Sequence, residues 1–108
     1  MKSRIRNLRL IRKVVRQIVD DFHPSRIVLF GSHAYGRPVR DSDVDLLVIM
    51  KSRKRPIERA IEIMRSLRIY PFPMDILVRT PQEIRRRIQI GDPFYQEIVT
   101  KGKVLYGP

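Results

Sequence analysis

The chain has 108 residues, a length typical of one compact domain, and the 43% of hydrophobic residues suffice for a core and exclude a disordered tail. Lys and Arg number 23 against 11 Asp and Glu, and the net charge of +12 favours an anionic partner: nucleic acid, nucleotide, acidic protein or membrane surface. The absence of Cys excludes disulfide frameworks and thiolate metal sites. No apolar run approaches the about 18 residues of a membrane span, and basic residues interrupt the N-terminal segment where a signal peptide would be apolar. We therefore expect a cytoplasmic protein whose residues 1–108 form a single domain.

The first half of the chain predicts one long helix followed by two strands. Apolar residues recur at steps of three and four from Ile5 to Phe22, which is typical of an amphipathic helix that His23-Pro24 would end. The apolar run Ile27–Phe30 predicts a buried strand, and Asp43–Met50 predicts a second one.

The second half predicts three helices and two strands. Pro56 opens a helix that we expect to bury one apolar face, formed by Ile57, Ala60, Ile61, Met64 and Leu67. The other predicted elements are a strand over Met74–Val78, a helix with Thr80 as N-cap and Glu83 closing a capping box, a helix from Asp92-Pro93 to Gly102, and a strand over Val104–Tyr106. This alternation favours one sheet with helices laid against it.

Three acidic residues lie where their side chains can meet. Asp43 and Asp45 are two positions apart on a strand, so they share one face, and Asp75 begins another apolar strand. If the two strands are neighbours, three carboxylates converge, and their repulsion requires a compensating cation or proton. Oxygen ligands suit Mg²⁺ or Mn²⁺, and two such ions would form a site for in-line displacement at phosphorus.

The pair Gly31-Ser32 ends the strand upstream of these acids. Gly allows a ligand to approach the backbone closely, and the free N–H groups of a helical turn beginning at Ser32 are suited to phosphate. A lone Gly-Ser after a strand is most often an ordinary turn. Its spacing from the acids is what favours a phosphate-binding role here. We expect the next residue, His33, to be a solvated loop residue.

Gly31-Ser32, ten residues and then Asp43-Val44-Asp45 match the Gly-Ser…Asp-x-Asp signature of the polymerase-beta-like nucleotidyltransferases. The flanking segments 29–36 and 42–48 resemble the minimal nucleotidyltransferases of prokaryotes, and the resemblance extends to the strand of Asp75 and to segments 80–84 and 102–106. It implies an α+β fold, a small mixed β-sheet flanked by α-helices.

The resemblance also implies roles for individual residues. Asp43 and Asp45 would hold two Mg²⁺ ions, with Mn²⁺ as an alternative, and Asp75 would complete the metal site and help deprotonate the attacking hydroxyl. Gly31 and Ser32 would bind the β- and γ-phosphates. Many relatives have Arg where this chain has Tyr35. We expect Arg37 to contribute the missing positive charge to nucleotide binding, with Arg40 as the alternative.

Such a protein would transfer a nucleoside monophosphate, with AMP from ATP expected, to a hydroxyl. The resemblance implies a tyrosine of a HEPN-type helical toxin as the acceptor, a hetero-oligomer with that toxin, and an antitoxin role without a membrane partner. Two alternatives stay open: a non-catalytic antitoxin that neutralises its partner by contact, and an RNA- or DNA-binding domain on the same scaffold.

Overall fold

The computed structural model describes residues 8–36 and 43–108. The elements are α1 Leu8–Phe22, β1 Arg26–Phe30, α2 Ser32–Tyr35, β2 Val44–Ile49, α3 Pro56–Ser66, β3 Met74–Arg79, α4 Pro81–Gln89, α5 Pro93–Lys101 and β4 Lys103–Tyr106. Each predicted element is present with its ends moved by about one residue, except that the predicted start of the first helix, Ile5, lies outside the described residues.

The four strands form one mixed sheet in the order β3-β2-β1-β4. Strand β1 is antiparallel to β2 and to β4, whereas β2 and β3 are parallel and are joined through α3. This arrangement confirms the α+β fold and the mixed sheet that the resemblance implied. Strand β3 is an edge strand, because β2 is its one neighbour among the described strands.

Helices cover both faces of the sheet, which agrees with the nearly continuous burial of strands β1 and β2. One face packs against α1 and α3, with Val14, Ile18, Leu46, Ile63 and Val78 among its buried side chains. The other face carries Val28, Phe30 and Leu47 and packs against α4 and α5. Among the described helices, none combines the length and apolarity needed to cross a membrane.

Side-chain caps fix the first residues of the last two helices. The Thr80 hydroxyl accepts a hydrogen bond from the Glu83 N–H at 3.1 Å, and the Glu83 carboxylate accepts one from the Thr80 N–H at 2.8 Å. This reciprocal pair confirms the predicted capping box. Helix α5 begins in the same manner, since the Asp92 carboxylate accepts a bond from the Phe94 N–H at 3.0 Å.

The predicted buried face of α3 is wrong in part. Ala60, Met64 and Leu67 pack against the core, but Ile57 is 62% exposed and Ile61 is 43% exposed. Ile63 is buried instead, together with Arg59, which is only 6% exposed. The guanidinium of Arg59 bonds the Glu83 carboxylate at 2.7 and 3.2 Å, the Lys54 carbonyl at 2.8 Å and the Val78 carbonyl at 3.2 Å. The helix is therefore rotated so that this cation reaches its partners, which leaves the Ile57–Ile61 side outward.

Candidate active site

The sheet register places two of the predicted acids side by side. Asp45 pairs in register with Asp75 on the parallel strand β3 and with Phe30 on the antiparallel strand β1. Residues in register on neighbouring strands point to the same face, and such strands lie about 4.8 Å apart. Asp43 directly precedes β2 and is exposed. The condition set by the sequence, that the strand of Asp75 lies next to the strand of Asp45, is met.

The carboxylates act on one another electrostatically. Burial, and to a smaller extent the negative charges of Asp75 and Asp43, together raise the pKa of Asp45 from 3.8 to about 6. A carboxylate that resists ionisation for these reasons favours either a proton or a nearby cation. The cluster therefore has the electrostatic character expected of a cation site, with oxygen atoms as its donors.

Gly31 brings the Gly-Ser turn directly against this cluster. Its φ of +74° and ψ of −155° lie in a region that is essentially restricted to Gly. A Cβ atom at Gly31 would overlap Oδ2 of Asp45 and lie 3.1 Å from its Cγ, so the absence of a side chain is what allows the contact. The Gly31 carbonyl then accepts bonds from the N–H groups of Ala34 and Tyr35 at 3.0 and 3.1 Å, which fixes the start of α2.

His33 does not lie where the sequence predicted. It is 6% exposed rather than solvated, because α2 turns its imidazole inward directly after the Gly-Ser turn. Its Nδ1 is buried and has no hydrogen-bond partner among the described residues. A helix of four residues is too short to show a periodic pattern, and the sequence therefore carried no signal for this burial.

The predicted nucleotide ligand Arg37 falls outside the described residues, so its role stays a prediction. Within residues 8–36 and 43–108, no three His, Cys, Asp or Glu side chains are arranged to hold a metal ion. The donor chemistry nevertheless fits Mg²⁺ or Mn²⁺, since Asp43, Asp45 and Asp75 supply only oxygen atoms and their mutual repulsion is relieved by a cation. The assignment of these ligands also stays a prediction.

A groove of about 620 Å³ adjoins Asp75. Its walls are the outward side of α3, including Ile57 and Ile61, and strand β3 from Met74 to Arg79. The sequence analysis missed it because it assigned both isoleucines to the core. The residue that determines the orientation of α3 is Arg59. Its burial depends on its ion pair with Glu83, a residue 24 positions away in the chain.

The chain belongs to the nucleotidyltransferase domain family, whose model matches residues 8–106. This is the family that the Gly-Ser and Asp-x-Asp residues predicted. The chain is therefore a nucleotidyltransferase by family and by fold. Among curated proteins, none matches the sequence significantly.

Solved structures with a similar fold agree with this assignment. A Sulfolobus solfataricus protein assigned to the nucleotidyltransferases is 27% identical, with a TM-score of 0.64 over 79% of this chain and 77% of that one. A toxin–antitoxin structure with AMP-PNP is 25% identical, with a TM-score of 0.56 over 90% of this chain and 73% of that one. A mutant of the toxin–antitoxin MntA-HpeT, 22% identical, has a TM-score of 0.53 over 89% of this chain and 72% of that one. At that identity, this last likeness concerns the fold alone.

Proposed function

We propose that this protein is the antitoxin of a toxin–antitoxin pair and transfers a nucleoside monophosphate, AMP from ATP, to a hydroxyl of its partner. The observation that carries the proposal is the contact between Gly31 and the carboxylate of Asp45, which itself lies in register with Asp75. A phosphate-binding turn and a carboxylate cluster are thereby adjacent. In this proposal residues 1–108 act as one catalytic domain.

The roles proposed for the residues are those that the resemblance to the nucleotidyltransferases implies. The backbone of Gly31 and Ser32 binds the β- and γ-phosphates, with Arg37 as a further phosphate ligand. Asp75 accepts the proton of the attacking hydroxyl as the new bond between that oxygen and the α-phosphorus forms. The bond between the α-phosphorus and the bridging oxygen breaks at the same time, and pyrophosphate leaves with its electron pair. The protein mainly positions these groups and their charges.

Asp43, Asp45 and Asp75 are the residues proposed to hold the metal, with two Mg²⁺ ions expected and Mn²⁺ as a substitute. When bound, the metal would polarise the α-phosphate and neutralise the leaving pyrophosphate. Asp45 is suited to this role because burial and two neighbouring carboxylates already oppose its bare negative charge.

The partner is proposed to be a HEPN-type helical protein with an acceptor tyrosine. Support comes from the toxin–antitoxin structure with AMP-PNP, which shares this fold at 25% identity and matches 90% of this chain. The net charge of +12 is consistent with binding both a nucleotide and an acidic protein surface.

The test is transfer of label from α-labelled ATP with Mg²⁺ to the protein encoded by the adjacent gene. We expect labelling by the wild type and none by the Asp43→Ala/Asp45→Ala variant. Undiminished neutralisation of the toxin by that variant would instead support the contact-only antitoxin. Melting curves of both proteins control for folding.

Exposed cations on α1 favour nucleic-acid binding as a second candidate. Arg9, Arg12, Lys13 and Arg16 are all exposed on this helix. Binding of labelled RNA or DNA by the isolated chain, weakening steeply with salt, would support this candidate. Weak binding that loses no affinity when two of these cations are replaced by Gln would contradict it.

A further inference from the structure

We infer that the free edge of β3 and the exposed side of α3 form a docking groove for an extended, apolar and acidic segment that carries the acceptor hydroxyl. The inference rests on the proposed function and adds how the acceptor is recognised. It starts from the groove of about 620 Å³ beside Asp75.

The edge of β3 offers unpaired backbone groups at one end. The Pro73 carbonyl accepts a bond from the Val44 N–H, and the Arg79 carbonyl accepts one from the Met50 N–H, so the odd-numbered residues of β3 direct their backbone towards β2. The alternation of a strand then directs the backbone of Met74, Ile76 and Val78 to the free edge.

One carbonyl of this edge is already bonded by the protein itself. The Val78 carbonyl accepts bonds from Arg59 at 3.2 Å and from Arg79 at 2.9 Å. No bond from the other described residues covers the backbone groups that Met74 and Ile76 direct to the free edge. The uncovered portion of the edge therefore flanks Asp75, the proposed proton acceptor.

A segment that pairs with Met74 and Ile76 has its side chains fixed by the sheet. The residue opposite Asp75 points to the same face as the carboxylate, with about 5 Å between the two Cβ atoms. A hydroxyl at that position lies beside Asp75. The residues on either side of it point to the opposite face, towards α3, where Ile57 and Ile61 present an exposed apolar surface one helical turn apart.

The charged residues that line the groove determine which charge the docked segment should carry. Arg65 and Arg79 line the groove, and Asp75 is the one acid among the described residues that line it. An exposed backbone edge combined with an apolar wall is the arrangement used for strand addition, in which the backbone supplies affinity and alternate side chains supply specificity. The groove thus fits an extended segment with a central hydroxyl, flanking apolar residues and acidic residues further out.

The test uses a library of synthetic peptides with a central Tyr and three randomised residues on each side. Peptides retained by the immobilised protein are identified by mass spectrometry, without a requirement for catalysis. We expect at least tenfold enrichment of apolar residues next to Tyr, enrichment of Asp or Glu further out, and depletion of Pro next to Tyr because strand pairing needs the N–H. The Asp75→Asn variant is expected to retain the same peptides.

Variants of the groove make the test specific. Ile57→Asp/Ile61→Asp should abolish the enrichment, and the milder Ile57→Ser/Ile61→Ser should reduce it at least fivefold. Ile90→Asp is the matched control and should leave the enrichment unchanged, because Ile90 is 59% exposed, follows the end of α4 and does not line the groove. Three outcomes would overturn the inference. The retained peptides could show no enrichment, they could carry Pro beside Tyr, or the two groove variants could show the same enrichment as the Ile90→Asp control. Retention of peptides without transfer of label to their Tyr would overturn the proposed reaction while leaving the groove supported.

Discussion

At Gly31, backbone conformation and close packing act together. Its φ of +74° and ψ of −155° lie in a region that costs other residues about 1–3 kcal/mol. A methyl group there would also overlap the carboxylate of Asp45. We expect Gly31→Ala to lower the free energy of unfolding by more than the backbone strain alone would cost. We also expect it to abolish nucleotidyl transfer, because Asp45 is displaced. Urea denaturation and the labelling assay measure the two effects.

Gly91 provides the matched control for this prediction. It also has a positive φ, +80°, but a Cβ there would meet nothing within 4 Å. Gly91→Ala should cost about 1–2 kcal/mol of strain and leave transfer unchanged. Equal destabilisation of the two variants would contradict the close contact of Gly31 with Asp45.

The Asp45 carboxylate makes the stability depend on pH in an unusual direction. Burial and the charges of Asp75 and Asp43 raise its pKa in the folded state from 3.8 to about 6, so between these values the folded protein binds more protons than the unfolded chain. Stability contributed by this group is therefore present below about pH 3.8 and is lost as the pH rises through about 6. The full pKa change corresponds to about 3 kcal/mol, and partial solvent exposure reduces this to about 1–2 kcal/mol.

Asp45→Asn should consequently stabilise the protein at pH 7 by about 1–2 kcal/mol and have little effect near pH 3.8. Urea denaturation across this pH range, with EDTA present, measures the difference. Asp20→Asn, at an exposed position of α1, is the control and should show little effect at either pH. A constant difference between wild type and Asp45→Asn across the pH range would contradict the raised pKa.

Among the elements, α3, β3 and α4 are joined by the buried guanidinium of Arg59. It bonds the Glu83 carboxylate and the carbonyls of Lys54 and Val78. The side-chain hydrogen bond from Arg59 is the main cause that lowers the pKa of Glu83. Arg59→Ala removes the cation that pairs with the Glu83 carboxylate and leaves the Val78 carbonyl with its bond from Arg79 alone. Removing one partner of a buried pair costs about 3–5 kcal/mol, and the partial exposure of Glu83 lowers our expectation to about 2–4 kcal/mol. Urea denaturation of the variant measures this cost.

Arg55→Ala is the control for this pair, because Arg55 and its partner Glu58 are both well exposed on the same helix. We expect it to change the free energy of unfolding by less than about 1 kcal/mol. The lowered pKa of Glu83 also means that its stabilisation is present above its ordinary pKa of 4.5 and is lost as the pH falls through the lower folded value. An Arg59→Ala variant as stable as Arg55→Ala would refute the structural role of the pair.

The contrast between Thr80 and Ile57 explains which elements could be predicted. The capping box of Thr80 and Glu83 is a contact over three residues, so the sequence alone predicted it. The orientation of α3 depends on the contact of Arg59 with Glu83, which lies on another helix. The spacing of apolar residues such as Ile57 and Ile61 within α3 does not predict that contact. The burial of His33 escaped prediction for a similar reason, since α2 is too short to show a period.

One condition of the predicted site could be tested against the structure. The sequence required the strand of Asp75 to lie beside the strand of Asp45, and the register of β2 with β3 meets this condition, whereas the roles of the three acids stay predictions. The sequence could not reveal that a Cβ at Gly31 would overlap Asp45, or that β3 leaves an edge beside the acids. Both depend on how separate strands pack.

At the scale of the whole molecule, a large excess of Lys and Arg is combined with the three acids of the candidate site. The net charge of +12 favours anionic groups such as phosphates, and the three acids would hold the proposed metal. A ligand that binds only the folded state stabilises it by about 2.7 kcal/mol at 100 times its Kd. For a chain of this size we expect Mg²⁺ with AMP-PNP to raise Tm by roughly 10 °C.

Thermal melting with and without Mg²⁺ and AMP-PNP checks this expectation, and Asp43→Asn/Asp45→Asn is the control that should show no rise. An unchanged Tm of the wild type at millimolar concentrations of both ligands would contradict a competent site in the free chain.

The central claim is that the acids beside Gly31 carry out nucleotidyl transfer, and Asp75→Asn tests it most directly. The measurement is the initial rate of label transfer from α-labelled ATP to the protein encoded by the adjacent gene. Because a positioned base contributes about 100-fold or more, we predict at least that loss of rate, with an unchanged fold and a retained rise in Tm with AMP-PNP and Mg²⁺. A rate near that of the wild type would contradict the account.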